Sequence, residues 1–170
     1  MDELWVFGYG SLIWRPGFAF LERRPARLAG YHRSLCIHSH VHRGTPQRPG
    51  LVFGLDRGGS CVGMAFRVAA AERDAVVAYL RERELVTHVY RETHLPVRLQ
   101  DGESVRALTY VVDRGHGQYA GRMTPAEAAA IVSGAHGQSG PNVDYVTSAL
   151  AHITEMGLED RWLSEVVARL

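Results

Sequence analysis

Thr93-His94-Leu95-Pro96-Val97-Arg98-Leu99, then Gln100-Asp101-Gly102-Glu103, then Val105-Arg106-Ala107-Leu108-Thr109-Tyr110-Val111-Val112: this stretch decides the fold class. Two strand-forming runs flank an Asp-Gly pair, a strong hairpin signal. Upstream, the runs 51–55 and 61–68 flank Asp56-Arg57-Gly58-Gly59-Ser60, again a turn composition, and predict a second hairpin. Residues 4–7 predict a first strand, and 28–39 a long strand broken by Gly30. The segment 38–50 is polar, rich in Gly, Pro and Arg, and reads as a loop. Between the hairpins, Val76, Tyr79, Leu80 and Arg83 recur at three- and four-residue spacing and predict a helix over 71–85. Thr124 is an N-cap with Pro125 as first helical residue and Glu127 as capping-box partner. Gly134 ends that helix. Asn142 is expected to cap another helix, stopped by Gly157, and 161–170 a last short one. Hairpins mean antiparallel pairing, so the class is α+β and not a doubly wound sheet. Many short strands and few helices predict a small barrel or strongly curled sheet with helices outside. No repeat, linker or low-complexity segment interrupts 1–170, which reads as a single domain.

Bulk properties exclude whole classes of function. The 170 residues are 46% hydrophobic and 22% charged, ordinary for a soluble globular domain. The net charge of +1 gives no electrostatic case for nucleic acid or an acidic membrane. Every basic residue is Arg, which reads as a coding bias. No apolar run approaches the ~20 residues that span a membrane. The chain enters a strand at once, without a signal peptide, so the cytoplasm is the expected location. Cys36 and Cys61 lie in apolar, strand-like runs and read as buried reduced thiols. The oligomeric state is left open, with a monomer favoured.

Chemistry concentrates first in Trp5-Val6-Phe7-Gly8-Tyr9-Gly10-Ser11-Leu12, a strand running into a Gly-x-Gly-Ser turn. Such a turn can aim several amide N–H groups at one point, making a cradle for a carbonyl oxygen or carboxylate. It fails the dinucleotide pattern, which needs Gly where Ile13 stands, and the P-loop pattern, which needs Gly-Lys-Ser/Thr. It also fails the Gly-x-Ser-x-Gly nucleophile elbow, so Ser11 reads as part of the cradle's lining. The turn therefore looks like a small-molecule site without a nucleotide.

Glu84 follows on the predicted helix. It shares a face with Leu80, on or beside the apolar stripe, whereas Glu82 points about 200° away. Partial burial would raise the Glu84 pKa towards the range of a general base; a solvated Glu among Arg pairs is the alternative. His38, His40 and His42 alternate, but no carboxylate lies near them in sequence, and they read as solvated or hydrogen-bonded histidines, not a metal site. The loop 42–50 is either a surface loop or a lid carrying Arg43 to a substrate carboxylate. The entry Ser139-Gly140-Pro141-Asn142-Val143-Asp144-Tyr145 either caps its helix or reaches an anion.

Four segments in order resemble the ChaC-like γ-glutamylcyclotransferases: 5–14, His42-Arg43-Gly44-Thr45-Pro46 through Pro49-Gly50, Tyr79-Leu80 through Arg83-Glu84, and 139–145. The resemblance implies a small mixed β-barrel with flanking helices, a γ-glutamylcyclotransferase-like fold. It implies cleavage of glutathione to 5-oxoproline and cysteinylglycine, with no metal and no cofactor. Carried over, Glu84 is the general base and acid. Val6, Phe7, Gly8, Tyr9, Gly10, Ser11 and Leu12 hold the γ-glutamyl group, and Arg43, Asn142 and Tyr145 of the matching segments join the substrate-binding set. Leu85 stands where relatives often have Lys or Met, and Thr87-His88-Val89-Tyr90 where some have Gly-Tyr, which bears on substrate choice. Other γ-glutamyl-amino acids or γ-glutamyl-amines are the alternative substrates, and an inactive γ-glutamyl-binding module the non-enzyme alternative.

Overall fold

The structure is a computed structural model and describes residues 3–85 and 87–170. It is α+β, as the hairpin signals require. The chain divides into two compact units, Met1–Arg33 with Leu55–Asp113, and Ser34–Gly54 with Arg114–Leu170.

Five strands form a closed barrel in the order β1-β3-β2-β4-β5. They are β1 (Leu4–Gly8), β2 (Glu22–Ser39), β3 (Gly50–Val68), β4 (Tyr90–Leu99) and β5 (Ser104–Val112). β4 and β5 make the hairpin that opened the sequence reading, paired from Tyr90 opposite Val112 to Arg98 opposite Ser104, with Gly102 at φ 93° in the turn. β1 closes the barrel: it runs antiparallel to β3, with Gly8 opposite Met64, and parallel to β5, with Val6 opposite Leu108. Helix α1 (Arg73–Glu84) follows a 3₁₀ turn at Ala70–Glu72 and buries Val76 and Leu80. Val6, Phe7, Leu28, Phe66, Leu80, Leu99 and Leu108 make up much of this unit's core.

The hairpin expected around 56–60 is not there. β3 runs unbroken from Gly50 to Val68. Gly58 (φ 106°) and Gly59 (φ 64°) take left-handed conformations that bend the strand without reversing it. Neighbouring β2 holds the bend: the His32 Nδ1 lies 2.9 Å from the Gly58 carbonyl, and Arg27 donates to Ser60 Oγ at 2.9 Å. The long strand β2 does exist and carries Gly30 at φ 91°, but it begins at Glu22, six residues before the expected start.

In the second unit, helices α2 (Pro125–Gly134), α3 (Asn142–Glu155) and α4 (Arg161–Val167) bury Ala128, Ala129, Val132, Val146, Ala149, Ile153, Leu163 and Val166. Thr124 forms the full capping box with Glu127. Two short strands, β6 (His136–Gly137) and β7 (Gly140–Pro141), pair between α2 and α3. Among the described residues, no helix is long and apolar enough to cross a membrane.

Candidate active site

The turn at the end of β1 is built by three close approaches. A Cβ on Gly8 would lie 2.9 Å from Leu12 Cβ, so only glycine lets the chain fold back here. Ser11–Ile13 then form a single 3₁₀ turn, closed by Ile13 N–H to Gly10 O at 2.9 Å. The first amides of such a turn have no partner within it. Gly10 is buried, yet the space its missing Cβ would fill holds no atom within 4 Å. Gly63 on β3 completes the packing, for a Cβ there would meet Gly8 O at 2.3 Å.

The cradle backbone is also held from outside. Arg33 of β2, only 5% exposed, donates Nε–H to the Tyr9 carbonyl and Nη2–H to the Val62 carbonyl at 2.7 Å. The Thr109 hydroxyl donates to the Phe7 carbonyl at 3.1 Å, just past the last pair of the β1–β5 ladder. Val6, Phe7 and Leu12 are core residues, and Tyr9 is buried, whereas the Ser11 side of the turn is open to solvent.

Glu84 ends α1, one turn after the fully buried Leu80. Its side chain is 16% exposed. Burial pushes its carboxyl above the ordinary range, and the neighbouring Arg83 guanidinium, Nε 3.8 Å from Glu84 Oε1, pulls partly against this. Glu82 is exposed, as the helical phase predicts.

A polar network lies beside Glu84 on the β4–β5 face. Glu92 and Tyr110 are opposite partners in that ladder, and the Tyr110 hydroxyl donates to Glu92 Oε1 at 2.9 Å. Arg81 of α1 clamps Glu92 with two N–H donors at 3.0 and 2.9 Å. The Arg81 hydrogen bonds hold Glu92 below the ordinary carboxylate range. Burial, then the bond to Glu92 and the negative charges of Glu92 and Glu84, push the Tyr110 phenol far up, so it stays a proton donor. A cleft of ≈ 370 Å³ flanks the network, lined by Arg73, Asp74, Arg81, Glu92 and His94 among others, but not by Glu84 or the 8–12 turn.

The first unit thus holds Glu84 and all of Val6–Leu12. Arg43, Asn142 and Tyr145 belong to the second unit, where they form their own cluster. Asn142 does not cap α3, because Pro141 occupies the N-cap position. Instead its fully buried amide pairs with one residue of β3: Oδ1 accepts from Leu51 N–H at 2.7 Å and Nδ2 donates to Leu51 O at 2.9 Å. Tyr145 Oη accepts from Phe53 N–H at 3.1 Å, and the Arg43 guanidinium sits 5.4 Å over the Tyr145 ring while donating to Pro141 O. The 42–50 loop is tied at its start, by Arg43 N–H to Ser39 Oγ at 3.0 Å and by Ser139 N–H to His42 O at 2.8 Å. His38 and His40 stack at 6.3 Å, and the exposed His42 faces Ser139 Oγ. Sequence reasoning missed Arg33, Arg81, Glu92 and Tyr110 as parts of this site. Arg83 had given a signal, as an Arg recurring with the apolar stripe of α1.

Comparison with known proteins follows the same outline. A protein from Escherichia coli (strain K12), named glutathione-specific gamma-glutamylcyclotransferase, is 31% identical over 164 residues, 96% of this chain and 71% of its own. One of the same name from Schizosaccharomyces pombe is 34% identical, covering 85% of this chain and 79% of its own. Among solved structures, a yeast gamma-glutamyl cyclotransferase specific to glutathione superposes with a TM-score of 0.86 at 22% identity, covering 99% and 96% of the two chains, which establishes the fold. The model of the ChaC-like protein family matches residues 4–170, a span that contains the β1 turn, Glu84 and Asn142. The chain belongs to the ChaC-like family.

Proposed function

We propose that this chain is a γ-glutamylcyclotransferase that cleaves glutathione to 5-oxoproline and cysteinylglycine, with Glu84 as its general base and acid. The observation that carries the reading is a desolvated carboxylate in the same compact unit as a glycine-built amide cradle. The relatives' names supply the substrate, and the family match over 4–170 supports treating the chain as one functional domain.

The chemistry needs little from the protein. The α-amine of a γ-glutamyl group reaches its own γ-carbonyl through a five-membered ring, so no protein nucleophile is required. Only the free amine attacks. Glu84 takes the proton from the ammonium, the new N–C bond forms, and the γ-carbonyl becomes an oxyanion. Amides of the Gly8–Leu12 turn stabilise it, worth about 3–4 kcal/mol per donor in comparable acyl-transfer sites. Collapse breaks the γ-amide C–N bond as Glu84 returns the proton to the leaving nitrogen, and the second proton that the ring nitrogen sheds leaves the released amine as an ammonium. Holding the substrate in its ring-closing conformer supplies much of the remaining acceleration. Arg43, Asn142 and Tyr145 complete the proposed binding set. A glutathione substrate and two reduced thiols, Cys36 and Cys61, fit the cytoplasm. The near-neutral surface fits a small-molecule partner, with neither nucleic acid nor membrane involved.

Incubation with millimolar reduced glutathione should release 5-oxoproline and cysteinylglycine, read by mass detection. Glu84→Gln should abolish release while still binding glutathione. No product from the parent protein would sink the reading; product from γ-glutamyl-alanine but not glutathione would move it to other γ-glutamyl compounds.

A further inference from the structure

We infer that Arg83 is a positioning residue that locks the β1 turn to the helix end carrying Glu84. Its guanidinium reaches three separate pieces of backbone and side chain. Nη2 donates to Ser11 Oγ at 2.7 Å, in the cradle itself. Nη1 donates to the carbonyls of Arg15 and Pro16, at 2.7 and 3.2 Å, in the segment that leads away from the cradle. The same Nη1 lies 3.0 Å from Tyr79 Oη, one turn back on α1. Nε faces Glu84 Oε1 at 3.8 Å. Tyr79 is itself wedged in place, since a Cβ on Gly17 would overlap its hydroxyl.

These contacts do what neither element does alone. The barrel holds β1, and Val76 and Leu80 hold α1, but Glu84 is the last residue of its helix, where ends fray. One rigid planar fork ties that end to the turn that faces it. A lysine carries the same charge but cannot hold Ser11, Arg15, Pro16 and Tyr79 together. The inference rests on the reading of Glu84 as the base, for its content is the placement of Glu84 against the cradle.

Arg83 also places a positive charge beside Glu84. Among the described residues, Tyr110 of β5 also feels the Glu84 charge; it is bound to Glu92 of β4, which pairs with Arg81. Those three are untouched by changes at 83 or 11, so a change at 83 isolates the Arg83 charge.

The experiment compares pH–rate profiles for glutathione turnover in Arg83→Met, Arg83→Lys, Ser11→Ala and Glu84→Gln. Arg83→Met should lose about 100-fold in kcat with KM within about threefold, the signature of misplacement and not of lost binding. Its acid limb should move to higher pH, because the charge that opposed burial is gone. Arg83→Lys should keep the parent's acid limb yet stay at least about tenfold down in kcat. Ser11→Ala should lose kcat with the limb unmoved. Arg83→Met at the parent kcat, or Arg83→Lys restored to it, overturns the inference. If Arg83→Met fails to fold, parent-like kcat in both Arg83→Lys and Ser11→Ala overturns it instead. Full turnover by Glu84→Gln overturns the base reading itself, a result no Arg83 variant produces.

Discussion

Glu84, the proposed base, is buried at the expense of stability. Burial raises its carboxyl pKa above the unfolded value. The folded state therefore holds a proton that the unfolded chain gives up between the two values, and above both the buried charge is a net penalty. Glu84→Gln removes that penalty. The variant should melt higher than the parent at pH 7–8, with about 1 kcal/mol corresponding to about 2–4 °C for a chain of this size. The gain should shrink as pH falls through the raised pKa and vanish below the ordinary carboxylate range, where both forms are neutral. Calorimetry at pH 8 and pH 4 reads this directly; equal melting at pH 8 would mean Glu84 is not desolvated in solution. Glu82→Gln, on the exposed side of α1, should change neither melting nor turnover by more than about twofold.

The elements differ in how far their sequence determines them. α3 is the clearest case where local signals mislead. Asn142 has the residue type of an N-cap, but its amide serves Leu51 N–H and C=O on β3 instead. Asn142→Ala leaves both backbone groups buried without that partner and should cost about 1–3 kcal/mol in urea denaturation. Asn142→Asp keeps an acceptor for Leu51 N–H but at neutral pH sets a buried carboxylate charge against the Leu51 carbonyl and should cost more than the alanine. An alanine variant as stable as the parent would mean the pairing contributes nothing. The cap at α2 was legible because Thr124, Pro125 and Glu127 lie within one turn and need no tertiary partner. The β4–β5 hairpin was legible for the same reason, its Asp-Gly turn being local. The Gly58-Gly59 bend was not, since glycine's left-handed conformations serve a turn and a bent strand alike, and only β2 alongside decides between them. The phase of Glu84 could be read from Leu80 four residues before it. Arg81, Glu92 and Tyr110 could not be joined from sequence, because a helix–strand clamp and a cross-strand hydrogen bond depend on packing and register.

At the scale of the whole molecule, barrel closure and cradle geometry depend on the same strand. β1 is the stave paired with β3 on one side and β5 on the other, and its last residue, Gly8, begins the cradle. Gly63 is where that coupling is tightest. A methyl group there would sit 2.3 Å from Gly8 O and 2.8 Å from the Phe7 ring. Neither neighbour is a flexible tip: one is backbone in a ladder and the other a fully buried ring. Gly63→Ala must therefore push the end of β1, and the cradle with it, by several tenths of an ångström. It should cost about 1–3 kcal/mol in stability and lower kcat/KM for glutathione at least about tenfold. Gly102→Ala supplies the comparison. It strains the β4–β5 turn at φ 93°, about 1–2 kcal/mol, but no atom lies within 4 Å of the added methyl. Its kcat/KM should stay within about twofold of the parent despite a similar loss of stability. If the two variants lose activity equally when matched for stability, the cradle answers only to global unfolding. A selective loss in Gly63→Ala means that β1 transmits barrel geometry to the site.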